Sequence, residues 1–150
     1  MTSAEWADVF RVNVDATFAC LQAAARSMRQ RSQGAIVNTC SLSALCPAVR
    51  QSHYDSSKAA VLALTRSAAV ELAPRGVRVN PVPSGLIERY GIEQDWPDGV
   101  ARWLERAPLA RVGSPTDVAG AYPFLVLSLA SWITGQNLIV DGGITASPAY

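Results

Sequence analysis

The sequence has very little of the chemistry that would mark a metal, nucleic-acid or membrane protein. It holds one histidine, His53, one lysine, Lys58, and three cysteines, Cys20, Cys40 and Cys46. With one His and no Cys-x-x-Cys there is no metal-ligand spacing, so no metal site is expected. The odd, scattered cysteines read as buried free thiols in a reducing compartment, which places the chain in the cytoplasm. Charged residues are only 17% and the formal net charge is +1. That removes any bulk electrostatic case for nucleic acid or for a membrane. Met1 to Glu5 lacks the basic start and apolar core of a signal peptide. The longest nearly apolar run, Ala121 to Ile133, is too short to span a bilayer and contains Pro123 and Ser128.

Apolar residues are plentiful instead. They reach 49%, with four Trp, four Tyr and three Phe, enough to fill a core and to exclude disorder. A chain of 150 residues reads as one domain. Trp6, Phe10, Val14, Phe18, Leu21 and Ala25 recur at helical spacing, so a long helix runs from about Ser3 to between Arg29 and Gln33, where Gly34 stops it. Ala35–Ser41 is a buried strand. A loop from Ser43 to Gln51 leads to a second long helix, Ser52 to Leu72. Val77–Val82 is the next strand, followed by loop from Pro83 to Asp98 and a short helix from Val100 to Arg106. Ser114 and Pro115 open a helix running towards Leu129, and Asn137–Val140 forms a third strand. Helices alternating with short apolar strands predict an α/β fold with a parallel sheet.

Within this frame one pair stands out. Lys58 follows Tyr54 by four residues, and every other basic residue is arginine. Positions i and i+4 share a helix face, so phenol and ammonium emerge side by side. A cation beside a phenol favours the phenolate, the condition under which a tyrosine can move protons. Arginine is no substitute where a compact point charge is needed. Ser41 ends a strand thirteen residues earlier. Ligands of open α/β sheets bind beyond the carboxyl ends of the strands, so Ser41 faces the same crevice. His53 lies about 100° around the helix from Tyr54 and reads as a surface or packing residue. Asn13 sits inside the first helix, where asparagine is poorly suited, so its place there needs a reason.

These residues carry a resemblance. WADVFRVNVDATF (Trp6 to Phe18), GAIVNTCS followed by YDSSK (Gly34 to Lys58), ELAPRGVRVN (Glu71 to Asn80), PLARVGSPTDV (Pro108 to Val118) and ITGQNLIVDGG (Ile133 to Gly143) resemble, in order, the carboxyl-terminal part of short-chain dehydrogenases/reductases. The resemblance implies a Rossmann-like doubly wound parallel sheet, truncated to about three strands with flanking helices. It implies a catalytic set of Asn13, Ser41, Tyr54 and Lys58. Tyr54 would be the acid/base, Ser41 would polarise the carbonyl, Lys58 would assist the phenolate and hold the nicotinamide ribose, and Asn13 would hold a water. NAD or NADP is the implied cofactor, contacted by Tyr54, Lys58, Ser84, Gly85 and Ile87. A small carbonyl or alcohol is the implied substrate, and a homo-oligomer through the two long helices the implied assembly.

The match also has departures. The family's strand, glycine-rich turn and helix for the dinucleotide phosphates have no counterpart in residues 1–150, which therefore read as a single partial domain, the catalytic half of the fold. Ser84 replaces a Pro, Arg89 stands where Thr is usual, and Pro81 removes a ladder donor from an inner strand. Two functions follow. One is an NAD(P)-dependent oxidoreductase interconverting a secondary alcohol and a ketone. The other is an inactive remnant, or an interaction module that keeps only the dimerisation helices. The Ala35–Ser41 strand is expected to leave one edge open.

Overall fold

The computed structural model describes residues 1–146. The first helix starts at a capping box: the Glu5 N–H donates to Thr2 Oγ1 at 3.2 Å and Glu5 Oε2 accepts the Thr2 N–H at 2.6 Å, satisfying two donors the first turn leaves free. The helix is continuous but not uniform. α1 (Ser3–Phe10) passes into a π-helical turn, Arg11–Asp15, and then α2 (Ala16–Arg31). Gly34 does not end it. Ser32 does so by taking left-handed φ of 50°, and Gly34 is already the first residue of β1 (Gly34–Ser41). A Cβ on Gly34 would collide with Met28, so glycine there lets the strand pass close under the helix.

α3 (Ser52–Leu72) matches its expected range, and a short turn, Ala73–Arg75, delivers the chain to β2 (Val77–Ser84). β1 and β2 are parallel, pairing Gly34 with Val77 through to Ser41 with Ser84. The region expected as loop from Pro83 to Asp98 contains the end of β2 and a short helix, α4 (Ile92–Asp95), followed by α5 (Pro97–Arg106). The last long helix is instead two, α6 (Pro115–Ala119) and α7 (Ala121–Val126). Pro123 lacks an N–H and its ring clashes with the carbonyl four residues back, at Ala119, which breaks the helix there. Ser114 caps α6, and Asp117 is clamped by Arg111 at 2.6 and 2.9 Å. The Arg111 hydrogen bonds, with those from Ser114, hold the Asp117 carboxyl well below the usual carboxylate range.

Side chains of each strand alternate between two layers. Ile36, Val77 and Val79 pack with Leu21, Ala25, Ala68, Ala69 and Leu72 of α2 and α3. Val82 packs with Ala121 and Leu125 of α7 on the opposite face, where Val37 and Leu138 join them. Helices therefore cover both faces of the sheet. Arg78 reaches the α7 side, donating to the carbonyls of Leu125, Val126, Leu127 and Ile133. A cation suits a helix carboxyl end because the last carbonyls there have no helical partner.

The third strand is a correction. Of that segment only Val140 forms a bridge, to Ser84, and among the described residues the sheet has two strands. The segment does run along β2. Gly135, Leu138 and Val140 donate their N–H groups to the carbonyls of Val79, Pro81 and Pro83 at 2.8, 3.2 and 3.0 Å. In a strand the N–H and C=O of one residue point the same way, so position 81 and position 83 should return donors to this segment. Both are proline and have none. Val79 spends its donor on Thr134 Oγ1 at 3.1 Å. The Gln136 N–H is diverted to Asn80 Oδ1 at 3.0 Å. Among the described residues the other edge of β1 pairs with no strand, as expected.

Candidate active site

β1 ends at Ser41, and the chain turns through Leu42–Ala44 before α3 begins at Ser52. α3 packs against that turn. The carboxyl end of β1 and the first turn of α3 therefore lie together, which brings Ser41 and Tyr54 to one end of the sheet. The Ser41 Oγ accepts the Ser43 N–H at 3.1 Å. Its own hydroxyl proton remains available for a substrate oxygen.

Tyr54 and Lys58 meet as the helical spacing requires. The Lys58 ammonium stands over the Tyr54 ring, 5.7 Å from its centroid, within the range of a cation–π contact. Neither residue is fully exposed. Burial lowers the Lys58 pKa from its ordinary value, opposed by the nearby Cys40. No carboxylate pairs with Lys58 among the described residues, and the Tyr54 hydroxyl makes no hydrogen bond among them. Phenol and ammonium are thus both uncommitted. Cys40 is buried beside them, and its thiol donates to the Lys58 carbonyl at 3.4 Å. Burial pushes that thiol up. Cys20 and Cys46, expected buried, are exposed: Cys20 lies on an outer helix face and Cys46 in the loop after Ser41.

Asn13 lies in the middle of the π turn. Its Nδ2 donates to Ser57 Oγ at 2.9 Å, and Ser57 Oγ donates to the Tyr54 carbonyl at 2.7 Å. The Asn13 carbonyl accepts from Thr17 Oγ1 at 2.6 Å. A π turn inside an α-helix is rare and frequently marks a functional site. Ser57 is the residue that sequence reasoning passed over. Its signal was its place three residues after Tyr54, which lets a helical hydroxyl reach that carbonyl.

The residues expected at the nicotinamide divide. Ser84 and Ile87 border an open groove of about 600 Å3 with Thr39, Pro115 and Tyr122, and Tyr122 meets Thr39 at 2.6 Å. Gly85 has a structural reason to be glycine. Its N–H donates to the Val140 carbonyl at 2.9 Å, and a Cβ would meet the Trp103 ring and, at 3.0 Å, the Asp141 Cα. A smaller cavity of about 150 Å3 lies under this loop, walled by Trp103, Leu109 and Val140. Gly85 and Ile87 line it too, and none of Asn13, Ser41, Tyr54 or Lys58 lines either this cavity or the groove. No group of three or more His, Cys, Asp or Glu among the described residues could hold a metal ion, and no described helix is long and apolar enough to cross a membrane.

Comparison with known proteins fits this geometry. Residues 1–145 match the family model described as enoyl-(acyl carrier protein) reductase. The chain is 38% identical over 144 residues to the 3-oxoacyl-(acyl-carrier-protein) reductase FabG of Staphylococcus aureus, covering 96% of this chain and 58% of that protein. A gluconate 5-dehydrogenase from Burkholderia cenocepacia, solved with NADP and tartrate, superimposes with a TM-score of 0.93 at 30% identity, over 99% of this chain and 59% of that one. A short-chain type dehydrogenase/reductase from Mycobacterium marinum superimposes at 0.89 with 39% identity, over 97% of this chain and 58% of that one. The chain spans less than two thirds of the length of each of these relatives. Matched along nearly its whole length in sequence and in Rossmann-like fold, the chain belongs to the short-chain dehydrogenase/reductase family of oxidoreductases.

Proposed function

We propose that this chain is the catalytic portion of an NAD(P)-dependent oxidoreductase that interconverts a secondary alcohol and a ketone. The observation that carries the reading is the uncommitted Tyr54 phenol under the half-buried Lys58 ammonium, at the strand end that bears Ser41. In reduction, the substrate carbonyl oxygen accepts hydrogen bonds from Ser41 Oγ and from the Tyr54 hydroxyl. Tyr54 gives up its proton as negative charge builds on that oxygen, and the Lys58 charge stabilises the phenolate left behind. Asn13, set beside the start of α3 by the π turn, keeps a water in reach of Lys58, through which the proton is restored from solvent. Oxidation runs the same transfers backwards.

The residues present fit the ribose and nicotinamide end of a dinucleotide. An ammonium without a carboxylate partner is free to donate to ribose hydroxyls, with Tyr54 beside it, while Ser84 and Ile87 stand at the groove edge. NAD or NADP bound there would supply or accept the hydride. The Gly85 backbone donor is already used within the fold, so Gly85 contributes shape rather than a hydrogen bond. The substrate is a small carbonyl compound or alcohol, the site of action is the cytoplasm, and the chain pairs with a second copy through α2 and α3.

The test is Tyr54→Phe, assayed by nicotinamide absorbance over a panel of ketones and secondary alcohols. Loss of a positioned acid/base is expected to cut kcat by about 10²–10⁴-fold with the far-ultraviolet circular dichroism spectrum unchanged. Near-normal turnover in Tyr54→Phe would refute the assignment.

A further inference from the structure

We propose that Ser57 is a positioning residue of this site, whose hydroxyl fastens the π turn of Asn13 to the first turn of the Tyr54 helix. Ser57 is completely buried, so its hydroxyl has no water to fall back on. A serine hydroxyl has one proton to give and lone pairs to accept with. The proton goes to the Tyr54 carbonyl at 2.7 Å, and a lone pair takes the Asn13 amide at 2.9 Å. The first bond alone would mean little, because helical serines often bond back to a carbonyl three or four residues earlier. The second crosses 44 residues of sequence and joins two helices.

The π turn gives that bond a purpose. It holds one residue more than an α-turn and is seldom kept without a tertiary reason. Asn13 is held at two atoms: its backbone carbonyl accepts from Thr17 Oγ1 and its side-chain Nδ2 donates to Ser57 Oγ. The Asn13 side chain is thereby set from the Tyr54 backbone, through Ser57, while its carbonyl is held within its own helix. This proposal rests on the reading of Tyr54 as the acid/base. Under that reading Ser57 touches no reacting atom and acts by keeping Asn13 and Tyr54 in register, where an error of about 1 Å can cost 10²-fold in rate.

Amide hydrogen exchange on the full chain tests the fastening without any need for turnover. Ser57→Ala is expected to speed exchange across residues 11–17 by about tenfold, the loss of roughly one buried hydrogen bond. Asn13→Ala should do the same, and the double variant no more than either single one. Wild-type exchange at 11–17 in a folded Ser57→Ala variant overturns the proposal. Should Ser57→Ala fail to fold, Asn13→Ala decides alone, and unchanged exchange there overturns it equally. The kinetic arm separates the two claims. With Tyr54→Phe inactive, Ser57→Ala is expected to lower kcat about tenfold with KM nearly constant, and an unchanged kcat overturns the positioning role while leaving the Tyr54 assignment intact. An active Tyr54→Phe refutes the reaction assignment, and the exchange arm still decides whether Ser57 holds the turn.

Discussion

Leu138 donates its N–H to the Pro81 carbonyl at 3.2 Å, and Pro81 has no N–H to return. This missing donor, with that of Pro83 and the diverted donors of Val79 and Gln136, keeps the third segment alongside from completing a ladder. Replacing Pro81 with Ala adds one donor facing that segment. The hydrogen bond so gained is about 0.5–1.5 kcal/mol. Removing proline frees the unfolded chain by about 0.4–1 kcal/mol in the other direction. The two nearly cancel, so Pro81→Ala should change unfolding free energy by less than about 1 kcal/mol. Hydrogen exchange should nevertheless show a newly protected amide at position 81 and slower exchange at Leu138. A rapidly exchanging amide at 81 would mean that the segment does not complete the ladder even when it can.

Asn80 performs the work that the missing ladder does not. It is 1% exposed, its Nδ2 donates to the Ile133 carbonyl at 2.9 Å, and its Oδ1 accepts the Gln136 N–H at 3.0 Å. Both ends of a buried amide are satisfied, and they pin the turn leading into the third segment. Asn80→Ala strands one carbonyl and one N–H, each costing about 1–3 kcal/mol if left buried. An overall loss of about 2–4 kcal/mol is expected, read as a fall in the urea midpoint. A loss below 0.5 kcal/mol would show that water reaches both groups.

The sequence made the main elements and the Tyr54–Lys58 pair readable, because both depend on short-range spacing. The Tyr54–Lys58 contact follows from i and i+4 geometry, and β1 and β2 from compact apolar runs. What it concealed depends on partners far along the chain. The π turn at Asn13 could be suspected from a polar residue in a helix, but its hold on Ser57 spans 44 residues. Pro81 was legible as a defect. Which edge of β2 it faced was not, since that requires knowing which neighbour lies on which side. Cys46 shows the opposite failure. A cysteine among small apolar residues reads as core, yet it lies exposed in the loop that follows Ser41.

Lys58 should destabilise the fold that it serves. Burial lowers its pKa below the ordinary 10.5, so the native state holds this proton less tightly than the unfolded state does. The penalty is fully present below the lowered folded value and disappears as pH rises from there through the unfolded one. Lys58→Met is therefore expected to raise Tm at pH 7. That advantage should shrink as the pH approaches 10.5, while turnover is lost throughout. An advantage that persisted at high pH would assign the gain to better packing rather than to removal of a buried charge.

The outer face of α3 sets the last expectation. Ala59, Ala63, Arg66 and Val70 are exposed and recur at spacings of four, three and four, so they form one stripe down the helix. Two alanines at its start let a second helix approach closely. Phe18 on α2 is 49% exposed and Val70 is 77% exposed, apolar surface that a neighbouring copy would cover. In a two-fold pairing each copy offers the same patch, so Ala63→Glu would set like charges against each other near the axis. Such contacts cost several kcal/mol, and association should weaken by at least about 100-fold. Light scattering should show the wild-type chain as a dimer or larger and Ala63→Glu as a monomer at the same concentration, with unaltered circular dichroism. Identical masses for the two would place the interface elsewhere on the molecule.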